Sequence, residues 1–234
     1  MIAVIKRELG AYFNSPIGYV YLGVFYLLTG YFFFAGVLYA NSTVMTPVFQ
    51  VMINIVMFLT PVLTMRLMSE DRRHRTDQVL LTAPVTLGAI TVGKFLAAAA
   101  VYTAGVTMTM VYAVVVEVLA QVNWAMVWGS YIAILLLGFA FIAIGQFISS
   151  LTENQAIAAI GCFTAVLAIF LMDALIDIVP NPLIRMILQG ISFMRRYTPI
   201  TNGILGIANL VFFVSVCGIF LFLTTRTLEK RRWS

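Results

Sequence analysis

Residues 17–40 carry no charged side chain, and that run decides most of what the chain can fold into. About 20 apolar residues in a helix cross the ~30 Å hydrocarbon core of a bilayer. Inside hydrocarbon a segment must satisfy its own backbone N–H and C=O groups, which a helix does and a single strand cannot. Comparable runs recur along the chain. They give six spans at residues 17–40, 49–67, 91–116, 127–149, 156–172 and 203–225. The composition agrees: 62% hydrophobic and 10% charged residues, where soluble domains average about 45–50% and about 25%. The expected fold class is therefore an all-α integral membrane bundle of six transmembrane helices, with residues 1–234 as one domain.

Between the spans the chain is short and patterned. In residues 1–15, Ile2, Ile5, Leu9 and Tyr12 recur at helical spacing, while Lys6, Arg7 and Glu8 fall elsewhere on the wheel. That is an amphipathic helix able to lie in the interface, ended by Asn14-Ser15-Pro16. The first apolar run starts too late and runs too long for the core of a cleavable signal. Pro61 should kink the second span. Residues 69–86 form the longest polar interval. Ser69 reads as a helix N-cap with Glu70 and Asp71 in its first turn. Val79, Leu80 and Leu81 form an apolar patch, and Pro84 is the stop. Lys94 reads as a membrane-edge anchor whose ammonium reaches water. Trp124 and Trp128 suit an interface belt, and Gly138 and Gly145 can admit a neighbouring helix. Residues 180–201, with Pro180, Pro182 and Pro199, are too broken to span and read as two short helices or a re-entrant hairpin.

Six spans put both termini on one side. Eleven of the fourteen Lys and Arg residues fall on that side, and Arg185, Arg195 and Arg196 fall on the other. By the positive-inside rule the termini and the polar interval are cytoplasmic, in a multi-pass protein of the cell (inner) membrane. The net charge of +5 sits at the ends of apolar runs, so it speaks for membrane lipid and against nucleic acid.

Catalytic chemistry finds little purchase. Gly88, Gly93 and Lys94 fit G-x-x-x-x-G-K, but Phe95 stands where Ser or Thr would hold magnesium, and no strand precedes it. His74 is the single histidine, so neither a nucleophilic triad nor a metal site is expected. Cys162 and Cys217 lie in apolar runs and read as small packing residues. Asp173 and Asp177 share a helical face. Intramembrane carboxylates are functional candidates by default, but pairing with Arg185, Arg195 or Arg196 at the outer interface is the plainer reading. The aromatic residues of the first span, from Tyr19 to Phe34, either line a path for an amphipathic substrate or pack and face lipid.

The opening IKRELGAYFNSPIGYV and the interval SEDRRHRTDQVLLTAPVT resemble ABC type-2 permeases of the gliding-motility (GldF-like) branch. Ser69, Glu70, Arg72, Arg73, Thr76, Leu80, Leu81, Thr82, Pro84 and Val85 match the interval's usual form. Gly93-Lys94-Phe95 and residues 150–155 match two further points. The resemblance implies that residues 1–15 are an elbow helix and residues 69–86 a coupling segment that docks on an ATPase subunit. Glu70, Arg72, Arg73, Arg75, Thr76, Gln78, Val79, Leu80 and Leu81 would make that contact. Arg75 and Gln78 depart from the usual Gly and Glu, which changes the contact's charge pattern. The resemblance further implies no cofactor in this chain, with ATP and magnesium on the ATPase partner. It implies pairing with a second copy or a related permease. The alternative function is a force-transmitting complex that acts through residues 180–201 on an extracytoplasmic partner.

Overall fold

A computed structural model describes residues 1–40, 45–73, 86–119, 121–176 and 178–232. The described residues form helices α1 (Ile2–Asn14), α2 (Pro16–Phe33), α3 (Thr46–Thr64), α4 (Arg66–Arg73), α5 (Leu87–Met108), α6 (Met110–Leu119), α7 (Trp124–Leu151), α8 (Gln155–Leu175), α9 (Pro182–Ile191), α10 (Phe193–Thr201) and α11 (Ile207–Arg232). A π-helical turn, Phe34–Leu38, prolongs α2. Among the described residues six stretches are long and apolar enough to cross a membrane: Pro16–Leu38, Pro47–Arg73, Leu87–Leu119, Trp124–Leu151, Gln155–Leu175 and Ile207–Arg231.

The helix ends follow from local chemistry. Ser15 is extended and Pro16 opens α2, where its missing N–H costs nothing. The side chains of Thr86, Asn123, Asn154, Asn181 and Ser192 accept from N–H groups in the first turns of α5, α7, α8, α9 and α10. Residues 180–201 are two short capped helices, and α9 keeps Leu183, Met186 and Ile187 exposed.

One local reading changes. Ser69 does not cap a new helix after the second span. That helical run pauses at Met65, whose N–H bonds Pro61 O at 2.9 Å, and resumes as α4 through Arg73. Ser69 is fully buried, with its hydroxyl donated to Met65 O. The new first turn is capped from another helix. Ser149 Oγ of α7 accepts from the N–H groups of Met68 (3.2 Å) and Ser69 (3.1 Å) and donates to Met65 O (3.0 Å). A serine hydroxyl can serve all three at once.

The second span and α7 form the centre, each 67% buried over its most apolar window, while the corresponding figure for α11 is 11%. Two glycines of α7 permit the close packing. A Cβ on Gly138 would lie 2.1 Å from the Tyr102 ring of α5, and one on Gly145 would lie 2.3 Å from Thr64 Oγ1 of α3. Tyr102, so seated, donates its phenol to Ile134 O. The aromatics of α2 split between two faces. Tyr21, Phe25 and Phe33 are buried four residues or eight residues apart, while Tyr19, Tyr31 and Phe34 are exposed. Cys162 is buried beside Thr64 and Cys217 is half-buried, both as free thiols.

Gly138→Ala should lower the unfolding midpoint in detergent, at a cost of about 1–3 kcal/mol for overpacking. Gly218→Ala, with nothing within 4 Å of the added Cβ, should leave it unchanged or raise it.

Candidate functional site

Two elements border the polar interval, α4, which runs into it as far as Arg73, and α5, which follows it, and both are held by charged side chains from α1. Lys94 stands two turns into α5, with its side chain 2% exposed. An isolated ammonium at that depth would cost several kcal/mol. It has three N–H donors, and three acceptors meet it: Leu67 O at 2.6 Å, Asp71 Oδ2 at 2.6 Å and Glu8 Oε1 at 3.1 Å. Leu67 and Asp71 belong to α4 and Glu8 to α1. Arg7 reaches both carboxylates, so Glu8, Asp71, Lys94 and Arg7 form a charge-neutral quartet.

A second layer lies beside the first. Arg66 pairs with Glu70 through two nitrogens, Nε at 2.6 Å and Nη2 at 3.1 Å. Its Nη1 donates to Ser15 Oγ at 2.6 Å, and its guanidinium lies 5.6 Å from the centre of the Tyr12 ring. Tyr12 is buried and donates to Leu63 O at 2.7 Å, next to the pause at Met65. Burial pushes its phenol well above the ordinary value, so it stays a neutral donor. Gly93 leaves room for Val4 of α1. Arg7, Glu8, Ala11, Arg66, Glu70, Asp71 and Lys94 line a cleft of about 250 Å³.

The expected site residues divide. Glu70 is engaged with Arg66. Arg72 is engaged with Glu153 at 3.0 Å and donates to Leu151 O, the last carbonyl of α7, at 2.9 Å. Arg73 is exposed. Arg75, Thr76, Gln78, Val79, Leu80 and Leu81 lie outside the described residues. So does Asp177. Asp173 accepts from Met194 N–H at 3.0 Å, at the start of α10, and Arg185 is half-buried on α9.

The reading of Lys94 as a snorkelling anchor is corrected. Its ammonium turns inward because two carboxylates and a carbonyl offer more than partial hydration at the interface. The near-match at Gly88–Lys94 is likewise accounted for, with Gly93 facing Val4 and Lys94 facing Asp71 inside one helix. The quartet escaped the sequence reading because its members are far apart in the chain. The available signal was a lysine and a glutamate, each on a mostly apolar helix, at ends expected on the same membrane side. Among the described residues no group of His, Cys, Asp and Glu is placed to hold a metal ion.

Lys94→Met should cost about 3–5 kcal/mol, because it leaves two carboxylates sharing only the half-exposed Arg7. Glu8→Gln should cost less, and the double variant should fall short of the sum by at least about 0.5 kcal/mol. Detergent-solubilised unfolding curves of the three variants check this.

Compared with known families, the chain matches the model of the ABC-2 family transporter proteins over residues 32–232. No curated protein matches it.

Proposed function

The chain belongs to the ABC-2 transporter family, and from that premise we propose that it is a permease subunit driven by separate ATP-binding subunits through residues 69–86. The family implies a membrane-embedded transporter component with an ABC ATPase partner. In our reading, ATP and magnesium are held by that partner, and this chain hydrolyses nothing. The termini and the polar interval face the cytoplasm, where eleven basic residues gather. The opening IKRELGAYF and the interval SEDRR…LLTAPV support our reading of the chain as one of the GldF-like branch, and we read its direction as export.

The observation that carries the reading is the ion-paired root. A segment that receives a push is useful only if its ends are stiffly joined to the spans it must move. Lys94 ties α4 to α5 directly, through Leu67 O and Asp71, and ties both to α1 through Glu8. Force entering between residues 73 and 86 would therefore tilt the second and third spans together with the interfacial helix. Glu70, Arg72, Arg73, Arg75, Thr76, Gln78, Val79, Leu80 and Leu81 are assigned to the coupling segment. Glu70 and Arg72 brace its base, through Arg66 and Glu153. The exposed Arg73, with Arg75 and the patch Val79 to Leu81, would meet the ATPase. Two copies of the chain, or one with a related permease, would form the pathway between them. ATP can shift such an assembly only if the segment's contact energy differs between its two states.

The test is site-directed crosslinking in the complex purified through this chain. Cysteine at Arg73 or Val79, in a background lacking Cys162 and Cys217, should give an adduct of the mass of chain plus ATPase. Its yield should differ between ATP-trapped and ADP-bound complexes. Absence of any such adduct at both positions in both states would rule out the coupling role.

A further inference from the structure

The ion quartet grips the base of the polar interval from the side of α1. On its other side stands α11, a helix whose apolar window is almost wholly unburied. Its 26 residues extend about 39 Å, some 9 Å more than the ~30 Å hydrocarbon core requires. The excess is its charged end, from Arg226 onward, and this end does not project freely. Leu228 is buried in a small apolar cluster of its own with Met68 of α4 and Leu87 and Ile90 of α5. Met68 precedes the polar interval and Leu87 follows it, so one side chain of the last helix shares a buried cluster with residues from both of its ends.

Polar contacts fix the same stretch. One turn earlier, Thr225 Oγ1 lies 3.3 Å from Thr91 Oγ1 of α5. One turn later, Arg231 donates to Ser150 O near the end of α7. Arg72 of α4 donates to the adjoining Leu151 O. Two cations from different helices thus serve neighbouring carbonyls at one helix C-terminus, where positive charge is favoured.

We propose that the last two turns of α11 are a clamp on the base of the coupling segment, and that Leu228 and Arg231 are positioning residues that deliver its motion to the sixth span directly. This inference rests on the coupling role proposed above. The clamp stays shut through the cycle. The quartet carries motion to the second and third spans, and Leu228 carries it to α11. The sixth span packs along α7, with Phe213 in the main core, and through Leu228 it also takes up the motion of the coupling segment directly.

The test compares Leu228→Asp with Leu228→Ile in the intact complex, reconstituted in nanodiscs with its co-purified ATPase subunits. Three quantities are read: ATPase subunits per chain, ATP turnover, and amide hydrogen exchange over residues 66–73 and 86–94. Leu228→Asp should keep the wild-type subunit ratio and lose at least about fivefold in turnover, the lower end of ordinary coupling between sites. Exchange at the two root segments should rise about tenfold as their shared contact opens. Leu228→Ile should behave as wild type in all three. A separate pair, Leu228→Cys with Leu87→Cys, should keep its turnover within about twofold when oxidised, since a shut clamp loses nothing by being locked.

Wild-type turnover in Leu228→Asp with raised exchange would overturn the proposal, and so would unchanged exchange. Loss of the ATPase subunits would also overturn it, since α11 would then serve docking. Reductant-reversible loss of turnover in the oxidised pair would show that the contact must open. A wild-type complex that holds no ATPase would remove the coupling premise and the transmission role with it, while the exchange data would still report the contact. If the aspartate variant does not insert, Leu228→Ala is read by the same outcomes.

Discussion

One ammonium group organises the end of this bundle that carries the polar interval. Lys94 has three donors, and a carbonyl and a carboxylate of α4 and a carboxylate of α1 take them. The attraction between any two of these charges is not the important quantity, because buried pairs gain little net stability over apolar packing. The consequence of separating them is what matters. Any motion that parts α5 from α4, or either from α1, strands a charge in a poorly solvated place. The three helices are therefore far cheaper to move together than apart. A neutral core residue at position 94 would permit sliding, and the charged cluster does not.

The rest of the base is consistent with that demand. Where the second span pauses at Met65, the opened backbone groups are taken up by neighbours rather than by water: Ser149 from α7 and Tyr12 from α1. Arg66 holds Glu70 while meeting Ser15 and the Tyr12 ring. Arg72 and Arg231 close the end of α7. Side chains from α1, α4, α5, α7 and α11 thus converge on the few turns that bracket the polar interval. The opposite half is bound differently. There the contacts are largely aromatic, as in the packing of Phe193 against Phe141, Phe212 and Phe213. Two carboxylates of that half serve backbone N–H groups: Asp173 accepts from Met194 at a helix start and Glu117 from Val122.

The spans were legible because hydrocarbon thickness imposes a length that an uncharged run either meets or does not. The role of Gly138 and Gly145 as points of approach was legible too, since small residues on a buried face have few other uses. Their partners, Tyr102 and Thr64, were not, because nothing local to α7 names them. The charged base was misread where local rules were strongest. Ser69 followed by two acids is a good N-cap pattern, yet the helix was already running and its cap came from Ser149, eighty residues on. Lys94 near a span's start suggests an anchor, but its fate was decided by Glu8 and Asp71. In both cases a tertiary partner supplied what sequence rules assume solvent will supply.

If the charged base exists to receive an ATPase's motion, the complex must contain that ATPase. Native mass spectrometry of the gently solubilised assembly, purified through this chain, measures this most directly. The account expects two membrane subunits with two ATP-binding subunits. A chain without any ATP-binding subunit, in two different detergents, would contradict it.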